Sequence, residues 1–287
     1  MGVVVNTNPS SIAASRILDR NRADLQKTME RLSSGKRINS ASDDAAGMAV
    51  AAKLRADVRS LNQAVRNAND AVSLVNTYDG ASAEIESILV RMRELAVQTA
   101  NGTYEDADRG LAQLEIEALS KEIDRIATNT TFNRQYIASG SGGAGSGTFT
   151  FRVGPQNGSA DDVEVKLASL KATVLGSNGV SVGSGSSGLS VGSASSASDA
   201  VADIDAALTA LAEARAVAGA FINRLGHTVS NLQNVSQRTS EALSGVEDAD
   251  YAAESAALAR GMVLAQAGTA MLAQANQSPQ YILALLK

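Results

Sequence analysis

The 287-residue chain contains no cysteine and no tryptophan. Without thiols there is no disulfide framework and no thiolate metal site, whatever compartment the protein reaches. Histidine occurs once, at His227. That excludes a multi-histidine metal centre and argues against a histidine-based triad, and the residue reads as a polar position on a long helix. Aromatics make up 3% of the chain and proline occurs three times. The 44% hydrophobic content is therefore mostly small and aliphatic, with alanine dominant, which suits long thin helical seams better than a thick globular core. The start, MGVVVNTNPSSIAASR, lacks the basic and apolar regions of a secretory signal peptide. It predicts a cytoplasmic protein or one exported without a cleaved signal.

Charge is also missing where it is most informative. From Gly261 to Leu286 there is no Asp, Glu, Lys or Arg. The length is near the roughly 20 apolar residues of a membrane span. However, Gln266, Gln274, Asn276, Gln277, Ser278, Pro279 and Gln280 would place several amides and a helix breaker in hydrocarbon. The apolar positions Leu264, Ala267, Met271, Leu272, Ala275, Ile282, Leu285 and Leu286 recur at helical spacing, so the tail reads as an amphipathic helix that packs on protein. The net charge of −5 carries no nucleic-acid footprint. The chain ends are complementary: residues 1 to 42 hold seven basic residues against three acids, and residues 241 to 287 hold five acids against Arg260 and Lys287. Screened surface charges of this kind orient terminal segments rather than bind them.

Two long heptad patterns dominate the rest. Leu54, Val58, Leu61, Val65, Ala68, Val72 and Val75 step by four and three, and the phase slips near Tyr78 to Gly80. It resumes at Ile85, Ile88, Met92, Leu95 and Thr99. Ser42, Asp43 and Asp44 are expected to cap this helix, and Asn101-Gly102 to end it. Thr103 with Asp106 is expected to cap a second helix with the seam Ile116, Leu119, Ile123 and Ile126. Downstream, the run from Val201 and Ile204 through Leu211, Ala218, Leu225 and Leu232 to Val246 alternates three and four again, broken only by Arg215, Ser236 and Thr239. TFTFRV (148–153) and DVEVKL (162–167) alternate at period two and predict a β-hairpin, and residues 181–198 are mostly Ser and Gly. The expected fold is mainly α: a long antiparallel coiled-coil helical rod with a small β-hairpin insertion and both termini paired in an inner helical layer. The expected divisions are 1–42 and 252–287 for the inner layer, 43–180 and 199–251 for the rod, and 181–198 for a variable loop.

Chemistry-bearing motifs are weak. Gly140, Gly142 and Gly145 match G-x-G-x-x-G spacing without a preceding strand, and Gly35-Lys36 lacks the upstream glycine of a phosphate loop. Asp106, Asp108 and Glu117 match calcium-loop positions, but Leu111 stands where that loop needs glycine. No nucleophile, base and orienting group can be assembled, so no enzyme, cofactor or metal is expected.

Three segments resemble one family closely. LSSGKRINSASDDAAGMAVAAKLR (Leu32 to Arg55), RMRELAVQTANGT (Arg91 to Thr103) and the ending from Glu247 to Lys287 are similar to hallmark stretches of bacterial flagellins. The resemblance implies a subunit of a helical homopolymer, secreted unfolded through the flagellar channel and built into the extracellular filament. It implies a filament cap protein, a hook-filament junction protein and a C-terminal export chaperone as partners, with no nucleic acid and no membrane. Leu25, Met29, Leu32, Leu264, Met271, Leu272, Ile282, Leu285 and Leu286 are the residues expected to serve assembly. It further implies recognition by a host Toll-like receptor at Arg91, Arg93, Glu94, Leu95 and Glu115. Val90 departs from the glutamine of strongly active members, and Ile222 in AGAFINRL departs from the family's amide. The leading alternatives are a junction protein of the same family and a coiled-coil binding module or membrane-surface tether built on the tail.

Overall fold

The computed structural model describes residues 7–156, 158, 161–175 and 189–285. The helices are α1 (Pro9–Ser34), α2 (Ala45–Thr99), α3 (Asp106–Asn129), α4 (Ala194–Glu247) and α5 (Tyr251–Leu285). Two small hairpins lie between α3 and α4: β1 (Thr131–Phe132) with β2 (Gln135–Tyr136), and β3 (Thr148–Arg152) with β4 (Asp162–Lys166). Contacts divide the chain into two compact units, one of residues 1–58 and 237–287 and the other of residues 59–236. α2 and α4 each contribute to both. The expected boundary at residue 42 falls inside the first unit, because the segment after α1 is fastened to the end of α4, as described below.

In the second unit, α2 and α4 run antiparallel. Arg93 pairs with Asp205, Arg215 with Asp79 and Glu86, and the Ser236 hydroxyl donates to the Asn62 amide oxygen, so positions advance on one helix as they retreat on the other. The central seam of α2 is Leu61, Ala64, Ala68, Ala71, Val75, Tyr78, Ser82, Ile85, Leu89, Met92, Ala96 and Thr99, with Leu74, Ala81 and Leu95 buried beside it. The seam positions alternate three and four without interruption. The phase slip expected near Tyr78 to Gly80 is therefore absent: Ala64, Ala71, Ser82 and Ala96 occupy core positions that a pattern of large hydrophobes passes over. Tyr78 is buried and donates its hydroxyl to the Ala168 carbonyl, and burial pushes its pKa up to about 12.

α2 starts where expected, with the Asp44 carboxylate accepting the Gly47 N–H at 2.9 Å. α3 does not start as expected. Its N-cap is Glu105, which makes no side-chain cap, and the Thr103 N–H is instead taken by the Asn101 side chain. The turn is held by Arg109, buried at 6% exposure, which donates to the Thr99 and Asn101 carbonyls and to Asp106. An arginine with this many acceptors offsets its desolvation with charge-assisted hydrogen bonds.

The β3–β4 register, Phe149 opposite Val165 and Phe151 opposite Val163, matches the expected hairpin. Between β1 and β2, Asn133 and Arg134 both adopt positive φ (49° and 64°), the two-residue geometry whose twist fits a tight hairpin. Of the Ser/Gly-rich stretch, residues 181–188 lie outside the described residues. Residues 194–198 belong to α4 rather than to a loop, because the Ser193 hydroxyl accepts the Ser196 N–H and Ala197 is fully buried. Just before that helix the Gln113 side chain takes the Val191 N–H and donates to the Leu189 carbonyl, clipping the chain to α3.

Candidate assembly interface

The first unit is built around the pairing of α1 with α5. α1 opens on Asn8, whose side chain accepts the Ser11 N–H, followed by Pro9 at the first position, and closes on Gly35 at φ 71°. α5 opens on Asp250, which accepts the Ala252 and Ala253 N–H groups. The helices are antiparallel in a constant register. Asn8 donates to the Ala275 carbonyl at 2.7 Å, Asn21 to the Gly261 carbonyl at 2.9 Å, and Arg31 to Glu254 at 3.0 Å.

The seam is unusually close at two places. A Cβ placed on Gly261 would lie 2.9 Å from Leu25 Cγ, and one on Gly268 would lie 3.3 Å from Leu18 Cδ1. Leu18 and Leu25 are seven residues apart, as are Gly261 and Gly268, so each leucine seats against a glycine one heptad from the next. Glu254, Leu258, Gly261, Ala265, Gly268, Leu272 and Ala275 form the inward face of α5, stepping four and three. Of the expected stripe, Leu272 and Ala275 lie on this face, whereas Leu264, Ala267 and Met271 do not. Gly261, Ala265, Gly268 and Ala275 alternate with Leu258 and Leu272 along the seam, and Met262, Leu264 and Met271 are left on its flanks.

The expected assembly residues therefore divide. Leu264 and Met271 stand 53% and 64% exposed, and Met29 is 51% exposed. Leu25, Leu32 and Leu272 are half-buried between the helices, so their apolar surface is largely committed within the chain. The side chains of Ile282 and Leu285, and all of Leu286, lie outside the described residues. Three exposed apolar side chains that the sequence reading passed over, Met262, Val263 and Tyr251, flank the same helix. Tyr251–Gln277 is long and apolar enough to cross a membrane by length and composition. Its Gly261 and Ala275 carbonyls, however, are held by asparagines of α1, which fits pairing with protein.

The linker between α1 and α2 lies against the end of α4. The Arg37 N–H donates to the Glu247 carbonyl at 2.7 Å, the Ala249 N–H to the Gly35 carbonyl at 3.0 Å, and the Arg37 guanidinium to the Val246 carbonyl. The Glu247 carboxylate, 4% exposed as a residue, is paired with Lys36 and Arg55. The Lys36 ammonium, with Arg55 adding to it, holds the Glu247 carboxyl below the usual carboxylate range. Asp43 is likewise held well below that range by Lys27 and by the Ser40 and Asn39 N–H groups. Because the folded pKa of Glu247 is lowered, its contribution is fully present above the unfolded value and is lost as pH falls through the folded one. Glu247→Gln should lower the thermal midpoint of the first unit at neutral pH and converge on the parent protein as pH falls through the lowered folded pKa of Glu247. Circular dichroism melts across that range check the convergence, and parallel curves would remove Glu247 from the acid response.

On the second unit, the residues expected to face a receptor are also divided. Arg91 pairs with Glu115 at 2.9 Å and Glu94 at 3.2 Å, and all three are exposed. Arg93 is paired with Asp205 of α4. Leu95 is a correction to the surface reading: at 4% exposure it belongs to the core under α2 and presents nothing to a partner. An open groove lined by Asp70, Leu74, Phe132, Phe149 and Phe151 brings together no acid-base pair. Among the described residues no group of three or more His, Cys, Asp or Glu could hold a metal.

The architecture and this surface define a class: a helical polymer subunit whose paired termini keep apolar side chains on their outer flanks. The chain matches the bacterial flagellin N-terminal helical region over residues 5–142 and the bacterial flagellin C-terminal helical region over residues 201–286. It is 39% identical to a flagellin of Halalkalibacterium halodurans, covering 99% of this chain and all of that one. It is 36% identical to the flagellar filament 41 kDa core protein of Borreliella burgdorferi and 38% identical to the flagellar filament core protein flaB2 of Brachyspira hyodysenteriae, at the same coverage. The chain belongs to the bacterial flagellin family, whose members are structural subunits of the extracellular flagellar filament rather than enzymes.

Proposed function

We propose that this chain polymerises through the outer flanks of the α1–α5 pair. The observation that carries the reading is the exposure of Met262, Val263, Leu264 and Met271 beside a seam already filled from within the chain. Exposed apolar side chains on both sides of a filled helix seam mark faces that another copy can cover. Contacts made by different patches on successive copies do not close, and their product is a helical fibre. The finer partners we assign are a filament cap protein, a hook-filament junction protein, an export chaperone on the C-terminal segment, and a host Toll-like receptor at Arg91, Glu94 and Glu115. Co-sedimentation with each purified partner tests these assignments.

The polymer reading is tested by Leu264→Asp with Met271→Asp. Both positions lie on one flank, seven residues apart and outside the seam, so the pairing of α1 and α5 should survive. An unpaired carboxylate buried by a neighbour costs several kcal/mol. The critical concentration for filaments should therefore rise by about a hundredfold or more, with the far-ultraviolet spectrum unchanged. Polymerisation of the variant at the parent's concentration, seen by electron microscopy, would move the interface elsewhere.

A further inference from the structure

With no cysteine, methionine carries all the sulfur in this chain. Among the described residues its methionines are sorted by exposure in an uneven way. Met92 is fully buried in the second unit and Met48 is half-buried, whereas Met29, Met262 and Met271 are 51%, 50% and 64% exposed. All three exposed thioethers belong to α1 or α5. We propose that Met29, Met262 and Met271 are an oxidation site for peroxides that governs assembly: converted to sulfoxides in the free subunit, they keep it out of the polymer. This inference rests on the reading that the outer flanks of α1 and α5 are the polymer contact.

The chemistry is a two-electron oxygen transfer. The thioether sulfur lone pair attacks one peroxide oxygen, an S–O bond forms as the O–O bond breaks, and the departing hydroxide takes the proton carried by the transferred oxygen and leaves as water. The sulfur is oxidised and the peroxide reduced, with no further reactant. The product is a polar sulfoxide oxygen where a soft apolar group stood. A neighbouring copy that covered it would have to supply a hydrogen-bond donor or bear its desolvation.

Two further observations confine the effect to assembly. In the α1–α5 seam Leu25 and Leu18 of α1 seat against Gly261 and Gly268 of α5, with Leu258, Ala265 and Leu272 on the same inward face of α5 and no methionine, so oxidation leaves the pair intact. The buried Met92 shares a core with Ile85 and Leu89 and is shielded in the folded subunit. Met271 shares one flank with Leu264, while Met262 lies on the other side of the seam, so a copy approaching either flank meets a thioether. The order of events then matters: a subunit buried in the polymer is protected, and a free one is not.

The test treats the folded free chain with hydrogen peroxide and reads sulfoxide at each methionine by peptide mass spectrometry. Met29, Met262 and Met271 should be oxidised well before Met92. The critical concentration for polymerisation should rise at least about tenfold, and methionine sulfoxide reductase should restore it. A variant carrying Met29→Leu, Met262→Leu and Met271→Leu should polymerise equally before and after peroxide. Unchanged polymerisation of oxidised wild-type chain, or equal loss in the leucine variant, would overturn the proposal while leaving the polymer reading in place. Failure of the untreated chain and the leucine variant alike to polymerise would overturn both.

Discussion

A chain ending at Tyr251 is expected to form no filaments at any concentration, and to lose the helix of α1 together with that of α5. The second loss follows from where α1 finds its partners. Leu18 is 5% exposed only because α5 covers it, and Leu25 seats against Gly261. Burial of such side chains contributes about 1.5 to 3 kcal/mol each. The inter-helix hydrogen bonds from Asn8, Asn21 and Arg31 all end on α5. What remains is a 26-residue helix with one buried residue of its own, and isolated helices are marginal in water without tertiary packing. The residues from 59 to 236 form a compact unit by themselves and should keep their melting transition. Far-ultraviolet circular dichroism should therefore fall by more than the helix removed, with one cooperative transition left. A truncated chain that keeps α1 helical, or that still yields filaments, would mean that the pairing of the termini is not the element assembly depends on.

Helical spacing located α2, α3, α4 and α5, because apolar residues repeated every three and four positions leave few other folds open, whereas α1 entered only as a terminal segment of the inner layer. Spacing failed where the core is made of small or polar residues. The step at Tyr78 to Gly80 reads as a phase slip because the seam there runs through Tyr78 and the polar Ser82 rather than through aliphatic residues, yet both are buried. The same blindness hid the terminal seam. Gly261 and Gly268 carry no hydrophobic signal, so spacing alone puts Leu264 and Met271 in one stripe with Leu272 and Ala275, although the first two stand on its flank. A signal was present: Leu18, Leu25 and Leu32 are spaced by seven, and so are the two glycines. Arg109 gave no such signal. Its burial depends on free carbonyls at the end of α2, which only the folded turn reveals. Leu95 was assigned to a surface by resemblance, and burial on α2 removes it from that surface while leaving Arg91, Glu94 and Glu115 there.

Gly261→Val should separate α1 from α5 and abolish polymerisation, although it adds only apolar surface to an apolar helix. A single Cβ at this position already approaches Leu25 Cγ to 2.9 Å, a contact that real side chains do not make. Valine adds two γ carbons, and its χ1 is nearly fixed in a helix, so it cannot swing clear. Nor can the helices relax locally, because Asn21 holds the Gly261 carbonyl at the same level. Overpacking costs typically about 1 to 3 kcal/mol. Here the seam contacts between Leu18 and Leu32 are lost with it as the helices part. Gly268→Ala is the matched control. Its Cβ would meet Leu18 at 3.3 Å, at the movable end of that side chain, and alanine favours a helix by about 1 kcal/mol over glycine. The alanine variant should melt within about 1 kcal/mol of the parent and still polymerise. If Gly261→Val instead melts like the parent and forms filaments, α1 and α5 are held by their flanking polar contacts, and the close leucine-on-glycine seam is incidental to assembly.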